Sequence, residues 1–342
     1  MRTLRVWDAG FESALDTFRA DQAMMAMMAG PADGDQPALC RLWSRPAPSL
    51  SAGRFHRLPT PHVMLARRTS GGRVVPVGPG VLGVTLVAPR AAWLDPRGAD
   101  LRPEQVLNRA LRPLLATLRG MGVDAFYPGR DAVTVDGRVL AVAAFSSAPD
   151  ETVVVEQLVS LDEPFSNLAR LLESADPGGV AAVDPASLAS SASVARLSAL
   201  PARERWATAI AGHAAEELRC TATVEPRRPG AGDELVVADE LAFEAFQAER
   251  GPLAEGSAFA AAIAMLGVVE ASARVVDGRI HDLVLCGDLM APLETLEAIA
   301  AACEGVRLER EVVARVVGRV LTERGRFVLG ARDLDDVIAR MA

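Results

Sequence analysis

Apolar and polar positions change period several times along the chain, and these changes predict the order of helices and strands. Residues 13–29 carry apolar side chains at helical spacing, which predicts an amphipathic helix near the start. A second helix is predicted over 105–120, where a stripe of leucine, valine and alanine ends at Gly120. Pro113 lies inside this stripe and predicts a kink or a break in the helix.

Strands are predicted where short β-rich or alternating runs are bounded by proline and glycine. The predicted single strands are 37–45, 62–68, 81–87 and 153–161. The dipeptide Asp-Gly between two β-rich runs is the strongest short-range signal for a hairpin. It occurs at Asp136-Gly137 and again at Asp277-Gly278, so the sequence predicts two β-hairpins.

The distribution of these elements predicts an α+β protein with two units. Residues 1–224 form the first predicted domain, and the turn-rich, proline-broken segment that follows places a linker over 225–255. Residues 256–342 form a small second domain, in which a hairpin precedes helices over 292–303 and 309–319.

Composition restricts the classes of function. Half of the 342 residues are hydrophobic and 23% are charged, which is typical of a globular protein with a real core. A net charge of −8 argues against general binding of nucleic acid. Residues 1–10 are charged and unlike a secretory signal, and the longest apolar runs are too short for a membrane span. We therefore expect a cytoplasmic protein that is not embedded in a membrane.

Cysteine and histidine spacing predicts no metal site. The four cysteines are far apart without a CxxC pattern, and we interpret them as reduced core thiols. The four histidines lack paired ligand spacing, and His56 and His62 are interpreted as loop residues.

All 36 basic residues are arginine, because the chain contains no lysine. This absence excludes every mechanism that needs a Walker A lysine, a Schiff-base lysine or a kinase-type phosphate lysine.

The most informative motif is Arg67-Arg68-Thr69-Ser70-Gly71-Gly72-Arg73. Glycines allow the backbone to approach a ligand closely, and three arginines within seven residues suit phosphate or carboxylate oxygens. An ordinary basic turn is the alternative that composition alone leaves open. Asp288 is likewise open between a catalytic carboxylate and a turn residue that leads into a helix.

Together these segments resemble the lipoate–protein ligase A and octanoyltransferase branch of the biotin/lipoate ligase superfamily. Residues 14–22 resemble its opening helix, and residues 42–56 are similar to its strand pair. Residues 67–73 match its Arg-Arg-x-Ser/Thr-Gly-Gly signature, and Val135-Asp136-Gly137-Arg138 matches its hairpin. Residues 267–316 resemble the accessory domain that follows many of these ligases.

The resemblance implies a mixed central sheet flanked by helices, followed by a small C-terminal α/β accessory domain. It also implies a pocket for lipoate or octanoate, ATP or AMP as nucleotide, and a lipoyl-domain protein or a partner ligase as protein partner. The substrate- or nucleotide-binding residues that it implies are Arg67, Arg68, Ser70, Gly71, Gly72, Arg73, Arg130, Asp131 and Arg138. A tunnel for the fatty chain is implied as well, to which we assign Val74, Val75, Leu82 and Val84.

This chain departs from the family pattern at the position of the lysine that follows the hairpin arginine, which is Val139 here. Arg138 is adjacent, but one step along a strand points to the opposite face. Ala132 also replaces a polar residue of the family pattern. We therefore expect a ligase-like protein with altered or lost chemistry, a pseudoenzyme in the second case. The alternative is an active ligase or acyltransferase that uses an arginine, such as Arg73 or Arg130, or a substrate already activated as a thioester.

Overall fold

The computed structural model describes residues 3–28, 37–58, 65–89, 103–147, 152–167, 170–171, 188–199, 202–226, 240–249, 253–330 and 334–341. The strands are β1 (Thr3–Phe11), β2 (Ala38–Ser44), β3 (Ser49–Ala52), β4 (Leu65–Arg67), β5 (Val75–Val77), β6 (Val81–Pro89), β7 (Ala132–Val135), β8 (Arg138–Ser147), β9 (Thr152–Ser160), β10 (Thr221–Glu225), β11 (Ala258–Ile263), β12 (Val268–Val276) and β13 (Arg279–Gly287). The helices are α1 (Ala14–Met28), α2 (Pro103–Gly120), α3 (Arg203–Leu218), α4 (Glu240–Ala248), α5 (Leu293–Cys303), α6 (Arg310–Leu321) and α7 (Leu334–Ala339).

The largest sheet has seven strands in the order β10-β1-β2-β6-β9-β8-β7. The pairs β1–β10 and β1–β2 are parallel, whereas the remaining pairs are antiparallel. A second sheet, β4-β3-β5, lies beside it, and a third, β11-β12-β13, belongs to the C-terminal part. The predicted α+β class with a mixed central sheet is therefore confirmed.

The two faces of the central sheet carry different elements because side chains alternate along each strand. Val155 and Val159 of β9 point to the face that packs against the leucines of α2 and the alanines of α3. Glu156 and Leu158, one position along, point to the other face, which contacts α1 and the small sheet β4-β3-β5. We call this second surface the cradle face.

Helix α2 continues through Pro113, so the predicted break does not occur. Leu111, Leu114 and Leu118 around this proline are fully buried against the central sheet. Tertiary packing of an amphipathic face supplies most of the stability of a protein helix and outweighs one missing backbone hydrogen bond.

Both predicted Asp-Gly hairpins are present as β7–β8 and β12–β13. Asp136 and Gly137 have φ angles of 48° and 72°, and Asp277 and Gly278 have φ angles of 50° and 68°. Two consecutive positive φ angles define the tight turn that matches the twist of a hairpin, and Asp-Gly favours it.

Strands β11–β13 and helices α5–α7 form the C-terminal unit, which has its own hydrophobic cluster. Helix α4 lies within the predicted linker and packs on α1, where Phe243 and Phe246 place their rings 5.5 and 4.9 Å from that of Phe18. The domain boundaries at 224 and 255 stay a prediction. Among the described residues, no helix has the length and apolar character needed to cross a membrane.

Candidate functional site

The Arg67–Arg73 motif lies over the cradle face, and its backbone is held from several sides. We call residues 68–72 the glycine loop. The Arg68 N–H donates to the carbonyl of Ala52 at 2.8 Å, and the Ser70 carbonyl accepts from the N–H of Arg54 at 2.8 Å. The N–H of Gly71 donates to the carbonyl of Phe145 on β8 at 3.4 Å. The loop is thereby fixed between the small sheet and the central sheet.

Arg67 and Arg68 are buried and donate to protein carbonyl groups. Arg67 Nη1 donates to the carbonyl of His56 at 2.7 Å, and its Nη2 donates to that of Gln247 at 3.1 Å. Arg68 donates to the carbonyls of Ser51 and Gly71 at 2.8 and 2.6 Å. These guanidinium groups therefore hold the loop in place with the same donors that an anionic ligand would need.

Arg73 forms a bidentate ion pair with Asp131, with Nε–Oδ2 and Nη2–Oδ1 distances of 2.5 and 2.7 Å. Both side chains are buried. Burial raises the pKa of Asp131, although the Arg73 guanidinium acts in the opposite direction. Asp131 thus serves as the counter-ion of Arg73 in this structure.

The predicted site residues divide into a buried group and a surface group. The buried group consists of Arg67, Arg68, Ser70, Gly71, Gly72, Arg73 and Asp131. Arg130 is exposed, and its carbonyl accepts a 2.5 Å hydrogen bond from the Tyr127 hydroxyl. Arg138 is partly exposed, with Nη2 3.7 Å from Asp136 at the hairpin. The structure does not bring these two arginines into the buried group.

The two signature glycines are required by contacts within the protein. A Cβ on Gly71 would lie 2.2 Å from the carbonyl oxygen of Leu289, and Gly72 has a φ angle of +78°. The N–H of Gly72 donates to the same Leu289 oxygen at 2.6 Å. A Cβ on Gly53 would lie 2.0 Å from the oxygen of Gly72. These glycines therefore allow segments of the protein backbone to lie close together, including the backbone of the C-terminal unit at Leu289.

Val139, at the position of the family lysine, belongs to β8, and its side chain packs against the apolar cluster of the cradle face. A register irregularity between β7 and β8 lies at this point of the hairpin. Its backbone N–H donates to Ser190 and its carbonyl accepts from Ala192, both at 2.9 Å. The next residue, Leu140, belongs to the cluster on the opposite face. Val139 thus shares a face with the glycine loop but brings no charge to it.

The four residues assigned to a tunnel do not line one space. Val74 and Val75 are buried in the cluster of the cradle face. The side chains of Leu82 and Val84 on β6 point to the opposite face of the central sheet, where they pack with α2 and α3. The prediction that these four residues line one tunnel was wrong for Leu82 and Val84, because side chains alternate along β6 and these two point away from the cradle face.

A polar row that the sequence motifs do not indicate crosses the cradle face. Arg41, Thr85 and Glu156 are neighbours in register on β2, β6 and β9. Arg41 Nη2 lies 2.5 Å from Asp21 of α1, and Glu156 Oε2 accepts from the N–H of Ser70 at 2.9 Å. The sequence signal for this row is that Arg41 and Glu156 are the single charged residues of β2 and β9, two largely apolar strands.

Asp21 joins this row to the glycine loop, because its Oδ2 accepts from the Thr69 hydroxyl at 3.0 Å. Burial raises the pKa of Asp21 to about 7, Arg41 opposes this shift, and the charge of Glu156 adds to it. Asp21, Arg41 and Glu156 are therefore buried ionisable groups that interact with one another and contact residues 69 and 70 of the glycine loop.

His56 and Asp288 connect the loop region to the C-terminal unit. His56 Nε2 lies 3.0 Å from Asp288 Oδ1, and both side chains are buried. Asp288 Oδ2 also accepts from the N–H of Val268 at 2.6 Å. Asp288 thus links β12 to the segment that follows β13 and pairs with a buried histidine.

The four cysteines are free thiols. Burial raises the pKa of Cys40 to about 12 and that of Cys303 to about 11, so both remain protonated and inert at neutral pH. Within the described ranges, no group of three His, Cys, Asp or Glu side chains is placed to hold a metal ion.

Comparison with known proteins identifies a family and a fold. The family described as "Lipoyl protein ligase A/B catalytic domain" matches residues 14–208. The crystal structure of P. falciparum LipL1 in complex with lipoate is similar over 99% of each chain, with a TM-score of 0.64 and 12% identity. A structure described as "A bi-partite lipoate protein ligase and its E2 lipoyl domain from Thermoplasma acidophilum" is similar over 72% of this chain and 93% of its own, with a TM-score of 0.50 and 15% identity. No curated protein matches the sequence.

Proposed function

The chain belongs to the lipoyl protein ligase A/B catalytic domain family, and from this premise we propose that it binds lipoate, octanoate or the corresponding acyl adenylate with altered or lost ligase chemistry. The observation that carries the proposal is Val139. This residue shares the cradle face with the glycine loop, yet it packs as an apolar side chain.

The contacts of two neighbouring cations support the proposal. Arg68 donates to two protein carbonyls, and Arg73 forms a bidentate ion pair with Asp131. A cation that stabilises developing charge must be oriented toward the reacting oxygens before the reaction. Removing one such group typically costs about 2.7–4 kcal/mol of transition-state stabilisation, or about 10²–10³-fold in rate.

Retention of an acyl compound is supported by the apolar cluster on the same face. Trp43, Val142 and Leu158 of the central sheet form one apolar cluster with Val74 and Val75 beside the glycine loop, and we assign the fatty chain to this side of the sheet. The similarity to LipL1 supports the fold and not the ligand. Lipoate is therefore the first ligand to test.

Calorimetric titration of the full chain tests the binding step. We expect lipoate and octanoate to bind and butyrate, which has a shorter chain, to bind at least about tenfold more weakly, since each buried CH₂ contributes about 0.8 kcal/mol. Equal binding of butyrate and octanoate, or no heat from any of them, contradicts the proposal.

The second candidate function is acyl transfer from a substrate already activated as a thioester, which needs no adenylation. The same Val139 favours it over ATP-dependent ligation, because the lost cation serves the activation of a carboxylate. An octanoyl thioester donor and an apo lipoyl domain distinguish the two: octanoylation of the acceptor without ATP supports transfer, and an unchanged acceptor supports binding alone.

A further inference from the structure

We propose that the outer edge of strand β11 is an interface at which two copies of this chain pair, strand to strand and antiparallel. Strand β11 (Ala258–Ile263) is the last strand of the C-terminal sheet, and among the described strands it pairs with β12 alone. The backbone N–H and C=O groups along the edge of a sheet form a template for another strand. The edge lies in the C-terminal unit, so the inference does not depend on acyl binding.

The backbone groups of alternate residues of β11 point to this edge. In an antiparallel pair, residues that bond to the neighbouring strand alternate with residues whose backbone groups point away from it. The N–H of Ala264 donates to the carbonyl of Gly267 at 2.6 Å, and these two residues continue the register of the β11–β12 pair. Counted back from Ala264 in steps of two, the even-numbered residues of 258–262 bond to β12. The residues whose backbone groups point outward are therefore Phe259, Ala261 and Ile263.

The same three residues also expose their side chains. Phe259 is 45% exposed and Ile263 is 80% exposed, and Ala261 between them is exposed as well. Leu253 before the strand and Met265 after it are exposed too. Half of the large hydrophobic side chains that are exposed in the described part of the chain thus lie within residues 253–265. Such a concentration indicates an interaction surface, whereas single exposed apolar residues are ordinary.

Two other sheet edges are protected by the chain itself. Along β13, the N–H of Ile280 donates to the carbonyl of Val306 at 2.8 Å, and the N–H of Gly305 donates to that of Ile280 at 2.7 Å. Strand β10, at one edge of the central sheet, contains Glu225 and is followed by Pro226. Covering segments, charged residues and proline are devices by which proteins prevent an edge strand from pairing with another chain.

The order of residues along β11 makes the strand complementary to a second copy of itself. In an antiparallel pairing centred on Ala261, Phe259 of each copy lies beside Ile263 of the other, and the two alanines meet between them. This register joins outward-pointing residues only, and a twofold axis produces it. Aromatic and β-branched side chains form favourable cross-strand pairs. Residues 256–266 contain no charged residue and no proline, so two copies meet without burying an unpaired charge, which a charged strand would do.

Sedimentation velocity of the full chain between about 1 and 200 µM tests the association. One pair of short strands buries less than about 1,200 Å², the size class of transient contacts, so we expect a dissociation constant of about 1–100 µM. The two β11 edges are both used in the dimer, so no larger species is expected. A chain that is still monomeric at about 200 µM, or that grows beyond the dimer, would overturn the proposal.

Two variants and one control locate the interface. Ile263→Lys brings two like charges to the paired edges and is expected to weaken the dimer at least about tenfold. Ala261→Pro removes an outward N–H without changing the exposed apolar side chains, and the same loss is expected if backbone pairing holds the dimer. Val224→Lys introduces the same charge at an exposed position of β10 and is expected to leave the dimer unchanged.

Circular dichroism melting identifies the variants that are folded. Ile263 is largely exposed, so Ile263→Lys is expected to melt like the wild type and keeps the test valid should Ala261→Pro fail to fold. A folded Ile263→Lys variant that dimerises like the wild type would overturn the proposal. A dimer that Val224→Lys weakens as much as Ile263→Lys does would overturn it as well.

Discussion

The backbone N–H of Gly72 donates a 2.6 Å hydrogen bond to the carbonyl oxygen of Leu289, which joins the glycine loop directly to the C-terminal unit. Phe55 and His56 connect the same two parts, since the Gly287 N–H donates to the Phe55 carbonyl at 3.0 Å and His56 Nε2 lies 3.0 Å from Asp288 Oδ1. The C-terminal unit therefore forms one wall of the loop that carries the family signature.

Gly71→Ala tests this contact. A Cβ at this position would lie 2.2 Å from the Leu289 oxygen, a backbone atom that cannot move aside alone. We expect a loss of about 1–3 kcal/mol in the free energy of unfolding, measured by urea denaturation. Gly212→Ala is the matched control, because Gly212 lies in α3 with open space around it. It is expected to be neutral or stabilising by up to about 1 kcal/mol. Equal stability of the two variants would contradict the packing argument.

Asp131→Ala tests the buried ion pair. Removing the carboxylate leaves the buried Arg73 guanidinium without its bidentate counter-ion, and breaking a buried pair in this way costs about 3–5 kcal/mol. The exposed Glu323–Arg326 pair, at 3.0 Å, provides the control. Glu323→Ala is expected to change the free energy of unfolding by less than about 1 kcal/mol. Comparable losses in the two variants would show that Asp131 is not the essential partner of Arg73.

The pKa of Asp21 predicts a dependence of stability on pH. Burial raises this pKa from 3.8 to about 7, so between these values the folded state keeps a proton that the unfolded state releases. The stability that protonated Asp21 contributes is therefore fully present below pH 3.8. It decreases as the pH rises toward 7 and is lost above pH 7. Asp21→Asn replaces the carboxyl group with an amide that does not titrate in this range.

Urea denaturation of the wild type and Asp21→Asn between pH 5 and 8 measures this effect. We expect the wild type to lose stability relative to the variant as the pH rises. The comparison cancels the other groups that titrate, including Asp8, whose pKa is lowered. A difference between the two proteins that is independent of pH would disprove the raised pKa of Asp21.

Local patterns predicted α1, α2 and both hairpins because those signals lie within one element. Asp136-Gly137 needs only its two flanking strands to specify its turn. The pairing of Ser70 with Glu156 spans 86 residues, and no local pattern contains it. Strand β1 was not among the predicted strands, although Leu4 and Val6 alternate with the partly exposed Arg5 in its first half.

The same distinction applies to the site. The motif predicted that residues 67–73 are brought together, because they are consecutive. It did not reveal that Arg67 and Arg68 donate to protein carbonyls, since those acceptors, such as the Ser51 and Gln247 oxygens, depend on distant segments. The surface positions of Arg130, which is exposed, and Arg138, which is partly exposed, likewise depend on where the β7–β8 hairpin lies in the sheet.

Val139→Lys tests whether a cation on the cradle face is what the chain lacks. We expect formation of lipoyl adenylate from lipoate and ATP to rise by about 10²-fold or more over the wild type, in line with the effect of one oriented charge. Val139→Met adds length without charge and is expected to leave the rate unchanged. Equal rates in the two variants would indicate that Val139 does not limit the chemistry.

The central proposal is that the protein binds an acyl compound and that its ligase chemistry is altered or lost. Native mass spectrometry of the full chain mixed with lipoate, ATP and an apo lipoyl domain measures both parts in one spectrum. We predict a non-covalent complex of the protein with lipoate beside a lipoyl domain of unchanged mass. A lipoyl domain heavier by one lipoyl group, or a protein that carries no acyl compound, would contradict the claim.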